Sequence, residues 1–140
     1  MNIVILDRKT LGLDIDMSIF DALGSVKSYD STKPKETIER LKEADVVITN
    51  KVVISKEVMQ NTNLKLICIS ATGMNNVDLE YAKQKKIEVK NVAGYSSASV
   101  VQLAFSMIFY FVQKLNYYKK YVDEYYRTLA MGIYNLQYQP

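Results

Sequence analysis

Short, continuous apolar runs that alternate with helical patterns are the feature that most constrains the fold of this chain. The clearest runs are Ile3–Leu6, Asp45–Thr49 and Leu66–Ile69, and two weaker runs are Val26–Tyr29 and Ile87–Val89. An apolar run without polar alternation indicates a strand that is buried on both faces, as in a parallel sheet. The pattern therefore predicts five strands of a sheet that is covered on both sides.

The segments between these runs have apolar residues three or four positions apart, which is typical of helices. Gly24 ends the first segment as a C-cap, Ser31–Thr32 leads into the second with Pro34 in its first turn, and Asp78 caps the third. The three apolar faces are Met17/Phe20/Leu23, Ile38/Leu41/Ala44 and Leu79/Ala82. Strands separated by helices imply right-handed crossovers. We therefore expect an α/β domain with a flavodoxin-like, doubly wound, parallel five-stranded sheet and helices on both faces.

Ligands of such sheets bind beyond the carboxyl ends of the strands, so the loops after Leu6, Thr49 and Ser70 are candidate binding loops. Gly73 lets the backbone of the last loop approach a ligand closely, and amides near a helix N-terminus suit an anion such as a carboxylate. Lys51 could attract the same anion. From the residues alone, an ordinary strand-to-helix turn and a solvated lysine are the simpler and favoured interpretation.

The last third of the chain predicts one long helix over 97–121, because this segment contains neither Gly nor Pro. Its apolar residues follow the helical period but leave no clean polar side, so the helix must be buried on nearly all sides. A five-stranded sheet covers one side, and the rest requires another domain or another chain. We therefore expect a domain over 1–96, a long helix over 97–121 that packs against another domain or forms a homodimer, and a separate tail over 122–140.

Composition excludes several classes of function. The 140 residues include no histidine and one cysteine, so a histidine-based catalytic site, a disulfide framework and a cysteine-built zinc site are ruled out and no metal is expected. Cys68 is expected to be inert core. A net charge of +3 with dispersed lysines argues against nucleic acid. The apolar stretch Ala98–Val112 is about five residues short of a membrane span, so we expect a cytoplasmic protein without membrane attachment. The five glycines form no dinucleotide or phosphate-binding loop.

Three segments together resemble a known enzyme family. They are Ile-Thr-Asn-Lys at 48–51, Ile-Ser-Ala-Thr-Gly-Met-Asn-Asn-Val-Asp at 69–78, and Val-Lys-Asn-Val-Ala-Gly-Tyr-Ser at 89–96. In this order and spacing they are similar to the NAD-dependent D-2-hydroxyacid dehydrogenases, and most similar to the glycerate dehydrogenase (hydroxypyruvate reductase) branch. The resemblance extends from about Met1 to Tyr121.

The resemblance implies a two-domain enzyme in which a flavodoxin-like substrate domain precedes a Rossmann domain, with the active site in the cleft between them. It assigns the substrate carboxylate to the backbone amides of Thr72 and Gly73. It also assigns the lining of the pocket to Asn50, Lys51 and Val52. The substrate would be a small 2-keto or 2-hydroxy acid, bound at about millimolar affinity or weaker by this chain alone.

The same resemblance places Ser96 and Val100 near the nicotinamide of the cofactor. The family's glycine-rich cofactor loop, its substrate-orienting arginine and its Glu–His pair lie beyond the long helix, and Leu103 stands where that helix normally carries a histidine. We therefore expect a chain truncated before the Rossmann domain, with no catalytic residue, no turnover and no NAD bound by this chain alone, although the complete enzyme uses NAD. The alternative is a non-catalytic, self-associating interaction module on a flavodoxin-like scaffold.

Overall fold

The computed structural model describes residues 1–12 and 14–137, with side chains described up to residue 132. The chain divides into two compact units, one from Met1 to Tyr95 and the other beginning at Ser96. The first unit contains a five-stranded sheet in the order β2-β1-β3-β4-β5, and every neighbouring pair is parallel. The strands are β1 Asn2–Ile5, β2 Ser25–Ser28, β3 Val46–Thr49, β4 Leu66–Ile69 and β5 Glu88–Asn91. The predicted flavodoxin-like α/β fold is therefore confirmed.

The strength of each strand signal follows from the position of the strand in the sheet. All four residues of the central strand β3 are buried, as are three of the four residues of β1. The edge strands β2 and β5 have no fully buried residue, so they tolerate lysine and serine. An edge strand needs fewer apolar residues than a central one, which is why its sequence pattern is weak.

Helices cover both faces of the sheet, as predicted, but unequally. On one face, the larger core joins Val4, Leu6 and Val47 to three helices, α1 (Pro34–Leu41), α2 (Lys56–Gln60) and α3 (Leu79–Gln84). The other core is smaller, and there Met17 and Phe20 pack against Ile3 and Ile5.

The structure corrects two details of the predicted helices. The first segment is a 3-10 helix, Ser18–Leu23, and of its predicted apolar face Met17 and Phe20 pack on the core while Leu23 stays exposed. The short helix α2 was not predicted. Ser31–Thr32 lead into α1 as predicted, where Lys33 is the N-cap residue and its backbone N–H donates to Glu36 Oε2 over 3.0 Å. Gly24, Pro34 and Asp78 occupy their predicted C-cap, first-turn and N-cap positions.

The second unit consists of two helices instead of the single helix predicted over 97–121. Helix α4, Ser97–Val112, ends where Lys114 adopts a φ of +51°, and α5 follows as Leu115–Gln137. The predicted tail is thus helical as far as Gln137, and its last three residues lie outside the described part. No single described helix is long and apolar enough to cross a membrane, whereas α4 and the Leu115–Gly132 part of α5, bent by 52°, meet that length and hydropathy only as a pair.

Candidate functional site

The loop that follows β3 is held by one buried carboxylate. Asp7, the second residue after the end of β1, is 5% exposed. Its Oδ2 accepts the backbone N–H groups of Asn50 over 3.0 Å, Lys51 over 2.7 Å and Val52 over 3.3 Å. Oδ2 also accepts the Thr49 hydroxyl over 3.2 Å, and Oδ1 accepts the Asn50 amide over 3.0 Å. Consequently, the backbone amides of residues 50–52 already have an acceptor inside the protein.

Asp7 lies in the predicted binding loop after Leu6, but its own role was not predicted. The available signal is an aspartate at the end of a buried apolar strand, because such a carboxylate must find hydrogen-bond donors close by. Its donors come from residues more than 40 positions away, so only the sheet order β1-β3 brings them together.

The loop that follows β4 is tied down differently. The Thr72 carbonyl accepts the Asn91 side-chain amide over 2.7 Å, and the Thr72 hydroxyl donates to the Val92 carbonyl over 3.2 Å. Both contacts engage groups other than the Thr72 amide. In the described residues, neither the Thr72 nor the Gly73 backbone N–H has a protein acceptor, and both residues are exposed. These amides are therefore free to meet an anion.

A cleft of about 280 Å³ lies between the two loops at the carboxyl edge of the sheet. Three of the five predicted substrate residues, Asn50, Lys51 and Gly73, line it together with Asn75 and Asn76. The Lys51 ammonium is in no ion pair with a described carboxylate. Lys51, whose charge has no carboxylate partner, and Gly73, whose amide is unengaged, thus line one cleft.

Two predicted residues are placed differently. Thr72 contributes no surface to this cleft. Val52 lines a separate cavity of about 650 Å³ near α1 and α2, which it shares with Lys51. The Val52 carbonyl accepts the Asn76 side-chain amide over 3.0 Å. Val52 therefore contacts the cleft through Asn76, which lines it.

Asn50 has the one buried side-chain polar atom without a hydrogen-bond partner in the described part of the chain. Its Oδ1 is fully shielded from solvent. Buried acceptors are almost always paired, and exceptions tend to coincide with functional positions or ordered water. The polar loop after β3 therefore retains unused hydrogen-bonding capacity.

Cys68 does not belong to this site. It is half-buried on β4, beside the smaller core rather than fully inside it. Burial, followed by the negative charge of Glu88, raises the pKa of its thiol, so the unreactive thiol form prevails. Among the described residues, no group of three or more histidine, cysteine, aspartate or glutamate side chains could hold a metal ion.

The two residues expected near a cofactor, Ser96 and Val100, both lie in the second unit. Ser96 is the N-cap residue of α4, and its carbonyl accepts the Val100 amide over 2.9 Å. A dinucleotide needs a glycine-rich turn whose amides cradle its pyrophosphate. The close backbone approach at Gly24 is made to the Met1 carbonyl, and Gly94 and Gly132 stand in open space. None of these three glycines belongs to a glycine-rich turn of that kind.

Comparison with known proteins identifies relatives of this chain. The family model of the D-isomer specific 2-hydroxyacid dehydrogenase catalytic domain matches residues 3–135. The hydroxypyruvate reductase of Blautia hydrogenotrophica is 36% identical over 129 residues, which cover 89% of this chain and 40% of that protein. The glycerate dehydrogenase of Methylorubrum extorquens is 35% identical over 109 residues, which cover 76% of this chain and 34% of that protein.

A solved structure shows the same relationship. The NAD+-bound 3-phosphoglycerate dehydrogenase of Entamoeba histolytica superposes with a TM-score of 0.65 at 28% identity, over 79% of this chain and 38% of that chain. The chain thus spans two fifths or less of the length of each of these three relatives. Because the family model covers nearly the whole sequence, the chain belongs to the D-isomer specific 2-hydroxyacid dehydrogenase family.

Proposed function

We propose that the unit Met1–Tyr95 binds a small 2-keto or 2-hydroxy acid through its carboxylate. The observation that carries this proposal is the pair of unengaged amides at Thr72 and Gly73, with Lys51 lining the same cleft as Gly73. Unengaged backbone N–H groups suit a carboxylate, and a nearby ammonium group adds Coulomb attraction. The site is open to water, which screens that attraction, so the affinity is about millimolar or weaker.

The ligand that the cleft suits best is hydroxypyruvate or glycerate. The names of two relatives and the three family-like segments at 48–51, 69–78 and 89–96 support this choice. In a complete enzyme of this branch, NAD(H) would interconvert the 2-keto acid and the D-2-hydroxy acid. The 140 residues by themselves carry out only the binding step, because they provide neither a dinucleotide cradle nor an acid–base histidine.

An NMR titration of the 140-residue chain tests the binding proposal. Adding glyoxylate or hydroxypyruvate shifts the amide signals of Thr72 and Gly73 in a saturable way, while acetamide at the same concentration leaves them in place because it has no carboxylate. Shifts that are equal for the acids and for acetamide would count against the carboxylate site. A parallel assay with NADH and hydroxypyruvate shows no oxidation above the level of a blank preparation; sustained turnover would contradict the proposed lack of activity.

A second candidate function is self-association through the helix predicted over 97–121. The supporting observation is α4, which has no charged residue and whose large apolar side chains are 40–72% exposed. Monomers rarely expose a contiguous apolar surface of this extent. A two-fold homodimer that buries α4 against its copy is compatible with carboxylate binding. We further propose that the protein acts in the cytoplasm, where NAD-linked chemistry of small acids takes place.

A further inference from the structure

Asp7 is a charged side chain in a place where charge is costly. Its carboxylate is buried, and an ionised group removed from water is tolerated only when hydrogen bonds replace its hydration. Five donor contacts, within 2.7 to 3.3 Å, provide that replacement. Four of the five contacts come from the backbone of one three-residue loop. The main contacts of the Asp7 side chain are therefore with the loop after β3 and not with the sheet.

This arrangement decides what the loop can offer to a ligand. The N–H groups of Asn50, Lys51 and Val52 all point at Asp7, so they are not available to an anion in the cleft. Only side chains of the loop can act there, and Lys51 is the charged one among the residues that line the cleft. The direction of the Lys51 side chain depends on its backbone, and Asp7 makes its shortest contact, 2.7 Å, with that backbone.

We propose that Asp7 is a positioning residue for the bound acid: it holds residues 50–52 so that the Lys51 ammonium faces the carboxylate on Thr72 and Gly73. This inference rests on the proposed carboxylate site. Asp7 itself does not touch the ligand. Without its carboxylate, the backbone N–H groups of Asn50 and Lys51 lose their acceptor, and that of Val52 keeps only Thr49 Oγ1, 3.1 Å away. The loop then takes another conformation, and the favourable charge leaves the cleft.

Two substitutions separate the shape of Asp7 from its charge. Asp7→Asn keeps one acceptor oxygen at the loop, but a neutral oxygen binds amides about half as strongly as a carboxylate. Asp7→Ala removes both carboxylate oxygens and leaves the loop only the Thr49 hydroxyl, which accepts the Val52 amide over 3.1 Å. Because an exposed ammonium–carboxylate contact contributes modestly, we expect the Kd for glyoxylate to rise about fivefold in Asp7→Ala and about twofold in Asp7→Asn.

Asp45→Ala is the matched control. Asp45 also anchors backbone and a lysine, accepting the Asn2 amide over 2.8 Å and Lys65 Nζ over 2.7 Å, but it lies before β3, at the amino edge of the sheet. Its loss is expected to lower the urea midpoint without changing the Kd. Asp7→Asn retains the shape of the side chain, so its Kd for glyoxylate tests the inference if Asp7→Ala does not fold. An Asp7→Asn Kd equal to that of the unmodified chain would then overturn the inference.

A double-mutant cycle with Lys51→Met tests whether Asp7 acts through Lys51. Lys51→Met alone should raise the Kd about fivefold, as the ammonium is lost from the cleft. In that background Asp7→Ala should have no further effect on the Kd. Additive effects, or a folded Asp7→Ala chain that binds glyoxylate normally, would overturn the positioning role. Failure of the unmodified chain to bind glyoxylate would instead remove the carboxylate site on which the inference depends.

Discussion

The side-chain amide of Asn91 donates to the Thr72 carbonyl over 2.7 Å, joining the end of β5 to the loop after β4. The Thr72 hydroxyl returns a bond of 3.2 Å to the Val92 carbonyl, which continues the same connection. These contacts use the carbonyl and hydroxyl of Thr72 and leave its amide free. The candidate carboxylate site therefore depends on the adjacent strand as well as on its own loop.

Asn91→Ala should destabilise the loop after β4 and weaken ligand binding at that loop. Loss of one hydrogen bond lowers the free energy of unfolding by about 1 kcal/mol. Hydrogen exchange at the Thr72 and Gly73 amides should become faster, and the glyoxylate Kd should increase. Asn61→Ala is the control, because the Asn61 side chain donates a similar bond of 2.9 Å to the Glu57 carbonyl, in α2. Equal exchange rates in the two variants at Thr72 would show that Asn91 does not support the site.

Gly24→Ala should destabilise the first unit. A methyl group at Gly24 would overlap the carbonyl oxygen of Met1, which accepts the Ser25 amide over 3.0 Å where β1 meets β2, and the φ of Gly24 is +154°. We expect a loss of more than about 1 kcal/mol in the free energy of unfolding, measured by urea denaturation. Gly132→Ala is the opposite case: its methyl meets nothing within 4 Å, so α5 should gain about 1 kcal/mol of helix propensity. A Gly24→Ala chain as stable as the unmodified one would show that β1 and β2 can separate at this point without cost.

Asp45 should make stability depend on acid pH. The hydrogen bond from Lys65, followed by the one from the Asn2 amide, holds the pKa of Asp45 below its usual value. A carboxylate with a lowered pKa in the folded state stabilises the fold above the unfolded pKa of about 4, and this contribution disappears as pH falls through the lower, folded value. The urea midpoint should therefore fall more between pH 7 and pH 3 in the unmodified chain than in Asp45→Asn. Lys65→Met should flatten the same dependence in part, and parallel curves for all three proteins would contradict this assignment.

Ile108→Lys should disrupt the proposed dimer. Ile108 lies on the side of α4 opposite the narrow polar strip formed by Ser99, Gln102 and Ser106, and it is 52% exposed. Burial of an isoleucine contributes about 1.5–3 kcal/mol, so its replacement by a lysine should weaken dimerisation tenfold or more, measured by analytical ultracentrifugation. Gln102→Lys adds the same charge on the polar strip and should leave the dimer intact. If both variants remain dimeric, α4 is not the interface.

Much of the fold can be predicted from the amino-acid sequence alone. The continuous apolar runs of the central strands β1, β3 and β4 predict a doubly covered parallel sheet, because burial on both faces leaves no room for alternation. The helix-boundary residues Gly24, Pro34 and Asp78 are equally local signals, since each acts within one turn of its own helix. Such features are determined by neighbouring residues and therefore appear in the sequence itself.

Other features arise only when distant segments meet. Asp7 and Lys51 are 44 positions apart, and no local pattern shows that the carboxylate of one will capture the amide of the other. The bond from Asn91 to Thr72 likewise requires β4 and β5 to be adjacent. The break at Lys114 lies within the predicted helix over 97–121, and no Gly or Pro in that segment indicates it. The sequence thus determined the five strands and the helix boundaries at Gly24, Pro34 and Asp78, because their signals are short in range. The tertiary structure decided which polar groups are bonded inside the protein and which remain free for a ligand.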